Sequence, residues 1–320
     1  MMTDMFLSCD WGTSSFRLRF VQLSDLKIIA EEKTGRGIAE TYQDWKQTGG
    51  YELDRFKFYQ SYIAGQIKAL SKKANISLDK TTVMLSGMAS STIGMLDLAY
   101  KELPFSLDGS DLKAEIISVE GANKFIIISG VRTEHDVMRG EETKVVGGSF
   151  VTDPTYPEKL LVLPGTHPKH ILIKDNMAVG FKTYMTGEFF DLLANQSVLS
   201  SSVEEGGDFE EPVNQESFRK GVLASLNTNL LHASFMVRTN QILDKMPQQQ
   251  NFFYLSGLLI GTELKEEIDR KMPVYLLGGS HFNTYYAKAC EILAIPVTKQ
   301  IDGDTALIAG QRAVYNRLLK

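Results

Sequence analysis

The stretch Leu7–Phe20, LSCDWGTSSFRLRF, places one carboxylate, Asp10, beside Gly12 and three hydroxyls, Thr13, Ser14 and Ser15, with Arg17 following. A hairpin turn needs only Gly next to Asn or Asp, so these extra groups suggest a further task. Backbone N–H groups at such a turn can cradle phosphate. Hydroxyls add donors, an arginine adds a charge-assisted fork, and a carboxylate holds Mg²⁺ directly or through water. Arg17 and Arg19 share a strand face by the two-residue period, so either reaches the same ligand. Two later glycine turns also follow apolar runs: Gly165-Thr166 after Lys159–Leu163, and Gly278-Gly279-Ser280 after Val274–Leu277. Each alone reads as a plain turn. Three in one chain point to a phosphate ligand.

Other nucleotide signatures are missing. No GxxxxGK[ST] loop occurs, and GRG at Gly35–Gly37 does not continue as the dinucleotide GxGxxG. His167 and His170 have HxxH spacing, with His135 elsewhere, but no compact set of further ligands accompanies them. They read as structural or ligand-facing histidines.

The elements that must position these groups alternate. Met5–Cys9, Phe16–Leu23 and Lys27–Glu31 read as strands, and Phe56–Lys73 as an amphipathic helix. Thr82–Ser86, Phe125–Ser129, Lys159–Leu163, His170–Lys174 and Val274–Leu277 read as further strands. Thr186–Asn195, Gln215–Thr228, Leu230–Lys245 and Asn251–Ile268 read as helices, with others starting near Arg139, Asn283 and Asp302–Asp304. Glu204–Glu216, acidic and without an apolar face, reads as an exposed loop. This alternation predicts an α/β class. The hairpin LLVLPGTHPKHILIKD repeats the plan of the first hairpin half a chain later, which suggests duplicated architecture.

At 320 residues the chain is long enough for two domains, and 43% hydrophobic with 23% charged residues is ordinary for a globular protein. The net charge of −5 and the lack of a basic stripe argue against nucleic acid. The longest apolar runs fall far short of the roughly 20 residues that span a bilayer. Cys9 and Cys290 read as buried thiols in a reducing compartment. With no basic, apolar leader evident, a cytoplasmic location is expected.

The order DWGTSS, PGTH, LLGGS resembles the sugar-kinase and actin-like ATPase superfamily. That resemblance implies two ribonuclease-H-like domains with ATP in the cleft between them. Asp10–Ser15 matches the first phosphate loop, Gly165–Thr166 the second and Gly278–Ser280 the adenosine loop. VMRGEETK (Val137–Lys144), LPGTHPK, MTGEFFDLL (Met185–Leu193), LSGLLIGTEL (Leu255–Leu264) and GDTALIAG (Gly303–Gly310) resemble the 2-dehydro-3-deoxygalactonokinase family across nearly the whole chain. The family implies ATP-dependent phosphorylation of the 6-hydroxyl of 2-dehydro-3-deoxy-D-galactonate, in galactonate breakdown.

The resemblance implies domains at 1–155 and 156–320, the last helix packing back on the first. The first domain would carry the first phosphate loop and the sugar-acid site, the second the other two loops. ATP would meet Asp10, Gly12, Thr13, Ser14, Arg17, Gly165, Thr166, Gly278, Gly279 and Ser280, with Mg²⁺ at Asp10. A sugar acid needs a cation and hydroxyl partners, so Arg139 would take its carboxylate. Gly87, Met88, Ala89 and Ser90 would add contacts, with Glu141 and His167 nearby. Glu141 and Glu142 point different ways on a helix, so one serves as base or holds metal-bound water and the other pairs with Arg139. Asp136 stays open as base, and a surface ion cluster is the alternative reading. Pro168 removes a backbone donor from the second turn. A homodimer stays open. The rivals are a kinase for another sugar acid or polyol, and a non-catalytic sugar or nucleotide regulator. A coupled ADP-release assay separates them.

Overall fold

The computed structural model describes residues 4–49, 54–118, 121 and 123–319. Two compact units divide the chain. The first holds residues up to Thr152, Asn176–Gly180 and everything from Gly303 onward. The second holds Asp153–Asp175 and Phe181–Asp302.

In the first unit β1 (Met5–Trp11), β2 (Phe16–Gln22) and β3 (Ile28–Thr34) form an antiparallel meander, followed by α1 (Ile38–Gln47) and α2 (Arg55–Ala74). Parallel β4 (Val83–Gly87) joins the other side of β1. The short strands β5 (Lys101–Glu102) and β6 (Phe105–Ser106) precede β7 (Ala114–Ile117) and β8 (Phe125–Ile128). β8 pairs in parallel with β4. The order across the sheet is β3-β2-β1-β4-β8-β7. β9 (Val131–Arg132) and β10 (Val137–Met138) then lead into α3 (Glu141–Ser149).

The second unit repeats this plan. β11 (Glu158–Leu163), β12 (Lys169–Lys174) and β13 (Met177–Thr183) come first; the opening residues of β13 belong to the first unit, where they pair with β6. The helices α4 (Thr186–Gln196), α5 (Pro212–Asn227), α6 (Leu230–Ile242) and α7 (Gln248–Leu264) follow. β14 (Val274–Gly278), α8 (Ser280–Ile292) and β15 (Val297–Asp302) close the unit, with β14 parallel to both β11 and β15. The order β15-β14-β11-β12-β13 matches β8-β4-β1-β2-β3. Three leading strands and two parallel followers, entered twice, are the ribonuclease-H-like plan that the paired hairpins foretold. The final helix, α9 (Gly303–Leu319), belongs to the first unit.

The strands form because their apolar residues fill both faces. Every residue of β4, β8 and β14 is buried, as strands covered on both sides require. The first core packs Leu7, Cys9, Trp11, Leu18 and Leu85 against Tyr59, Ile63, Ile67 and Leu70 of α2. These α2 positions carry the apolar stripe of the sequence. The second core gathers Leu160, Val162, Val274 and Leu276 with Phe218, Phe253 and Tyr286.

The acidic segment departs from expectation. Helix α5 starts inside it at Pro212, and Phe209 is buried and stacked on Tyr285 at 4.3 Å. Proline's fixed φ suits a first helical position, and one aromatic anchors the loop despite its charge.

Candidate active site

In the first unit, β1 ends at Asp10 and Trp11, and the Gly12–Ser15 turn closes with a Gly12 N–H to Ser15 C=O bond of 2.9 Å. The turn rests on the start of α1. Ile38 and Ala39 N–H groups donate to the Gly12 and Thr13 carbonyls, and Trp11 Nε1 donates to the Arg36 carbonyl. A Cβ at Gly37 would lie 2.1 Å from the Thr13 oxygen. The GRG segment thus seats the turn, a task the dinucleotide comparison did not consider.

Asp10 is half-buried, and no hydrogen bond or ion pair among the described residues engages its carboxylate. Arg17 and Arg19 do share a face, and both reach Asp304 at the start of α9. Arg17 Nη1 lies 2.6 and 2.5 Å from its two oxygens, and Arg19 Nη2 lies 2.6 Å away. Arg19 is fully buried and also donates to Glu31 at 2.7 Å. Burial works to raise the Asp304 pKa, but the two guanidiniums outweigh it and hold the carboxyl below its ordinary value.

Gly87 ends β4 with φ +90°, and a Cβ there would meet the Trp11 carbonyl at 2.7 Å. Gly140 has φ +107°, and its Cβ would sit 3.0 Å from Gly87 Cα. These glycines pack backbone to backbone, joining SGMASS to MRGEE. The contact brings Arg139 to Ser90: its Nη1 donates to the Ser90 carbonyl and, at 2.7 Å, to Ser90 Oγ. The Arg139 guanidinium lies 4.1 Å from the centre of the Tyr100 ring, a cation–π contact. Its Nε is buried without a hydrogen-bond partner.

The two glutamates separate as expected. Glu141 is half-buried, and its Oε2 accepts the Arg139 N–H at 3.0 Å. Glu142 is wholly buried. Its oxygens accept the Gly140 N–H at 2.7 Å and the Thr143 hydroxyl at 2.9 Å, so it closes the start of α3. Burial, followed by the charge of Glu141, pushes its pKa up to about 7. Ser86 bonds Thr143, and Gln311 donates to Ser86 Oγ and the Cys9 carbonyl, both at 3.0 Å. Asp136 accepts the Val137 N–H.

In the second unit the Gly165–Pro168 turn follows β11 and packs on α4. A Cβ at Gly187 would lie 2.7 Å from the Gly165 oxygen and from Thr166 Cα. Glu188 N–H bonds the Thr166 carbonyl, and its carboxylate lies 2.5 Å from His167 Nε2. Gly278 sits against Pro164, so two predicted phosphate-binding turns meet. The Gly165–Thr166 turn borders a groove of about 220 Å³ lined also by Gly187, Phe190, Phe252 and Phe282, the last from the first turn of α8. The HxxH histidines part: His167 is exposed, whereas His170 is buried between Glu263 and Glu267. Among the described residues no group of three or more His, Cys, Asp or Glu is arranged to hold a metal.

The first unit therefore gathers Asp10, Gly12–Ser14, Arg17, Gly87–Ser90, Arg139, Glu141 and Glu142. The second gathers Gly165, Thr166, His167 and Gly278–Ser280. Sequence reasoning did not find Gly37, Tyr100, Gln311 or the groove's aromatic wall. Only the glycine had a local signal, its place in the GRG run.

Residues 10–314 match the 2-keto-3-deoxy-galactonokinase family. The chain belongs to that family. It is 31% identical to the 2-dehydro-3-deoxygalactonokinase of Escherichia coli (strain K12), over 98% of each chain. It is 30% identical to a Rhizobium meliloti (strain 1021) protein provisionally given the same name, over 96% of this chain and 95% of the other. A crystal structure from Sinorhizobium meliloti, also provisionally named as that kinase, superposes with a TM-score of 0.80 at 26% identity. It covers 98% of this chain and 97% of its own. No helix among the described residues is long and apolar enough to cross a membrane.

Proposed function

We propose that this protein is an ATP-dependent 2-dehydro-3-deoxygalactonokinase, transferring a phosphoryl group to the 6-hydroxyl of the sugar acid. The family match across residues 10–314 supports the reaction. The Gly87–Gly140 contact supports the acid site, because it holds one cation, Arg139, against the Ser90 hydroxyl. Arg139 would bind the substrate carboxylate, with Gly87, Met88, Ala89 and Ser90 along the sugar.

Phosphoryl transfer needs mainly positioning and charge neutralisation. Gly165, Thr166 and the Gly278–Ser280 turn would hold the nucleotide in the second unit. Gly12, Thr13, Ser14 and Arg17 would offer donors in the first. His167, held by Glu188, would add a contact to the acid. Asp10 suits Mg²⁺, which is bound through one or two carboxylates plus phosphates and keeps waters; a single carboxylate without a protein partner fits that pattern. The ion would supply neutralising charge on the phosphates.

Of the open carboxylates, Glu141 is our choice as base. It is partly accessible, while both Glu142 oxygens are buried and engaged. Glu142 then acts as a positioning residue for Arg139 and Glu141. As the O6–Pγ bond forms and the bond from Pγ to its bridging oxygen breaks, the hydroxyl proton passes to Glu141. Two buried free thiols agree with a reducing, cytoplasmic setting.

The test is ADP release with 2-dehydro-3-deoxy-D-galactonate, its gluconate-derived epimer and a polyol panel. Turnover confined to polyols, or seen with none, rejects the assignment.

A further inference from the structure

Behind the groove of the second unit lies a chain of charges that the proposed chemistry does not use. His170 on β12 is buried, with Nε2 2.9 Å from Glu263 Oε1 and Nδ1 3.0 Å from Glu267 Oε1. Arg270 Nε lies 2.5 Å from Glu267 Oε2. At the other end Glu263 Oε2 accepts the Thr186 hydroxyl and, at 2.7 Å, the Tyr286 hydroxyl. Thr186 and Tyr286 line the groove beside Gly165 and Thr166.

Both imidazole nitrogens face carboxylate oxygens, an arrangement that favours the ring donating through both, as an imidazolium. Burial opposes that charge, but the two glutamates prevail and raise the His170 pKa. The chain is then neutral: Glu263 and Glu267 against His170 and Arg270. Apolar packing of equal volume would stabilise a core as well or better. The position of this chain is therefore its significant feature. It fixes two hydroxyls of the groove wall, and Thr186 is followed by Gly187, on which the Gly165–Thr166 turn rests.

We propose that His170 is a positioning residue for the nucleotide: it orients Glu263, which sets Thr186 and Tyr286 in the wall of the nucleotide groove. The inference rests on the groove being the nucleotide site.

The experiment is calorimetric titration of the full-length protein with a non-hydrolysable ATP analogue, without sugar acid, alongside the KM of each substrate. His170→Gln and Glu263→Gln weaken analogue binding about tenfold, a loss in the range of one charge-assisted hydrogen bond. The ATP KM rises in parallel and the sugar-acid KM stays within about twofold of wild type. The paired Thr186→Val, Tyr286→Phe variant leaves the ion chain intact and weakens binding similarly. It serves as the test if either charge variant fails to fold. Folded variants that bind the analogue as wild type does overturn the proposal, as does an equal rise in both KM values. Wild type that binds the analogue but phosphorylates no sugar acid removes the kinase assignment and leaves this inference standing.

Discussion

Arg139 has a neighbourhood that dictates what it can still do. Its Nη1 is committed to Ser90 and its face to Tyr100. A lysine offers neither the planar fork nor the same stacking. Arg139→Lys therefore raises the sugar-acid KM about tenfold or more, a lost charge-assisted bond, and leaves the ATP KM near its original value; steady-state kinetics with each substrate varied checks this. Glu141→Gln keeps the shape and loses the basicity. Its kcat falls by roughly 10²- to 10⁴-fold, the usual contribution of a positioned base. A Glu141→Gln enzyme with unaltered kcat would assign the proton to another carboxylate. Asp304→Asn tests the other end of the first unit. The Arg17 and Arg19 contacts weaken, and unfolding in urea shows a loss of about 2 kcal/mol, discounted for the partial exposure of Asp304.

Helix α3 carries a titration inside its first turn. Glu142 has an ordinary pKa of 4.5 and a folded value of about 7. A raised folded pKa means that the folded state binds the proton more tightly. The resulting stabilisation is full below about 4.5, declines between 4.5 and 7, and is gone above that range. Wild type consequently loses Tm relative to Glu142→Gln between pH 5 and pH 8, and parallel pH profiles would contradict the burial argument. At the turn seated on α1, Gly37→Ala forces a Cβ into the Thr13 carbonyl. The cost is roughly 1–3 kcal/mol, visible as a lower Tm. The buried strands were legible because they are continuous apolar runs between turn residues. α1 and β15 were not. β15 is an edge strand, VTKQID, with mostly exposed side chains and no such run. The active-site turns could be read as loops from their glycines, and Arg139 from its motif. Tyr100 and Gln311 could not, since their partners are 39 and more residues away and only folding brings them close.

At the scale of the whole molecule, the repeated strand order is the main architectural fact. Each unit builds a loop at the end of its first strand and another after its first parallel follower: Gly12 and Gly87 in one, Gly165 and Gly278 in the other. A sheet of this order brings those two ends side by side, because β1 pairs with β4 and β11 with β14. The sequence showed the duplication only through two short hairpins, since most other residues of the repeats have diverged. Gly147 illustrates the limit. A Cβ on it would meet the Ala306 oxygen at 1.7 Å, and one on Gly310 would lie 1.9 Å from the Thr143 oxygen. These glycines let α3 and α9 touch.

That final helix has a consequence for how the chain is made. Gln311 and Asp304 complete bonds to Cys9, Ser86, Arg17 and Arg19. During translation those partners emerge first and wait until α9 follows them out of the ribosome. The second unit, encoded later, has all of its own strands and helices by Asp302. The order of completion is therefore the reverse of the order of synthesis. Until α9 emerges, the nascent first unit holds Arg19 without Asp304, and the Cys9 carbonyl and Ser86 without Gln311.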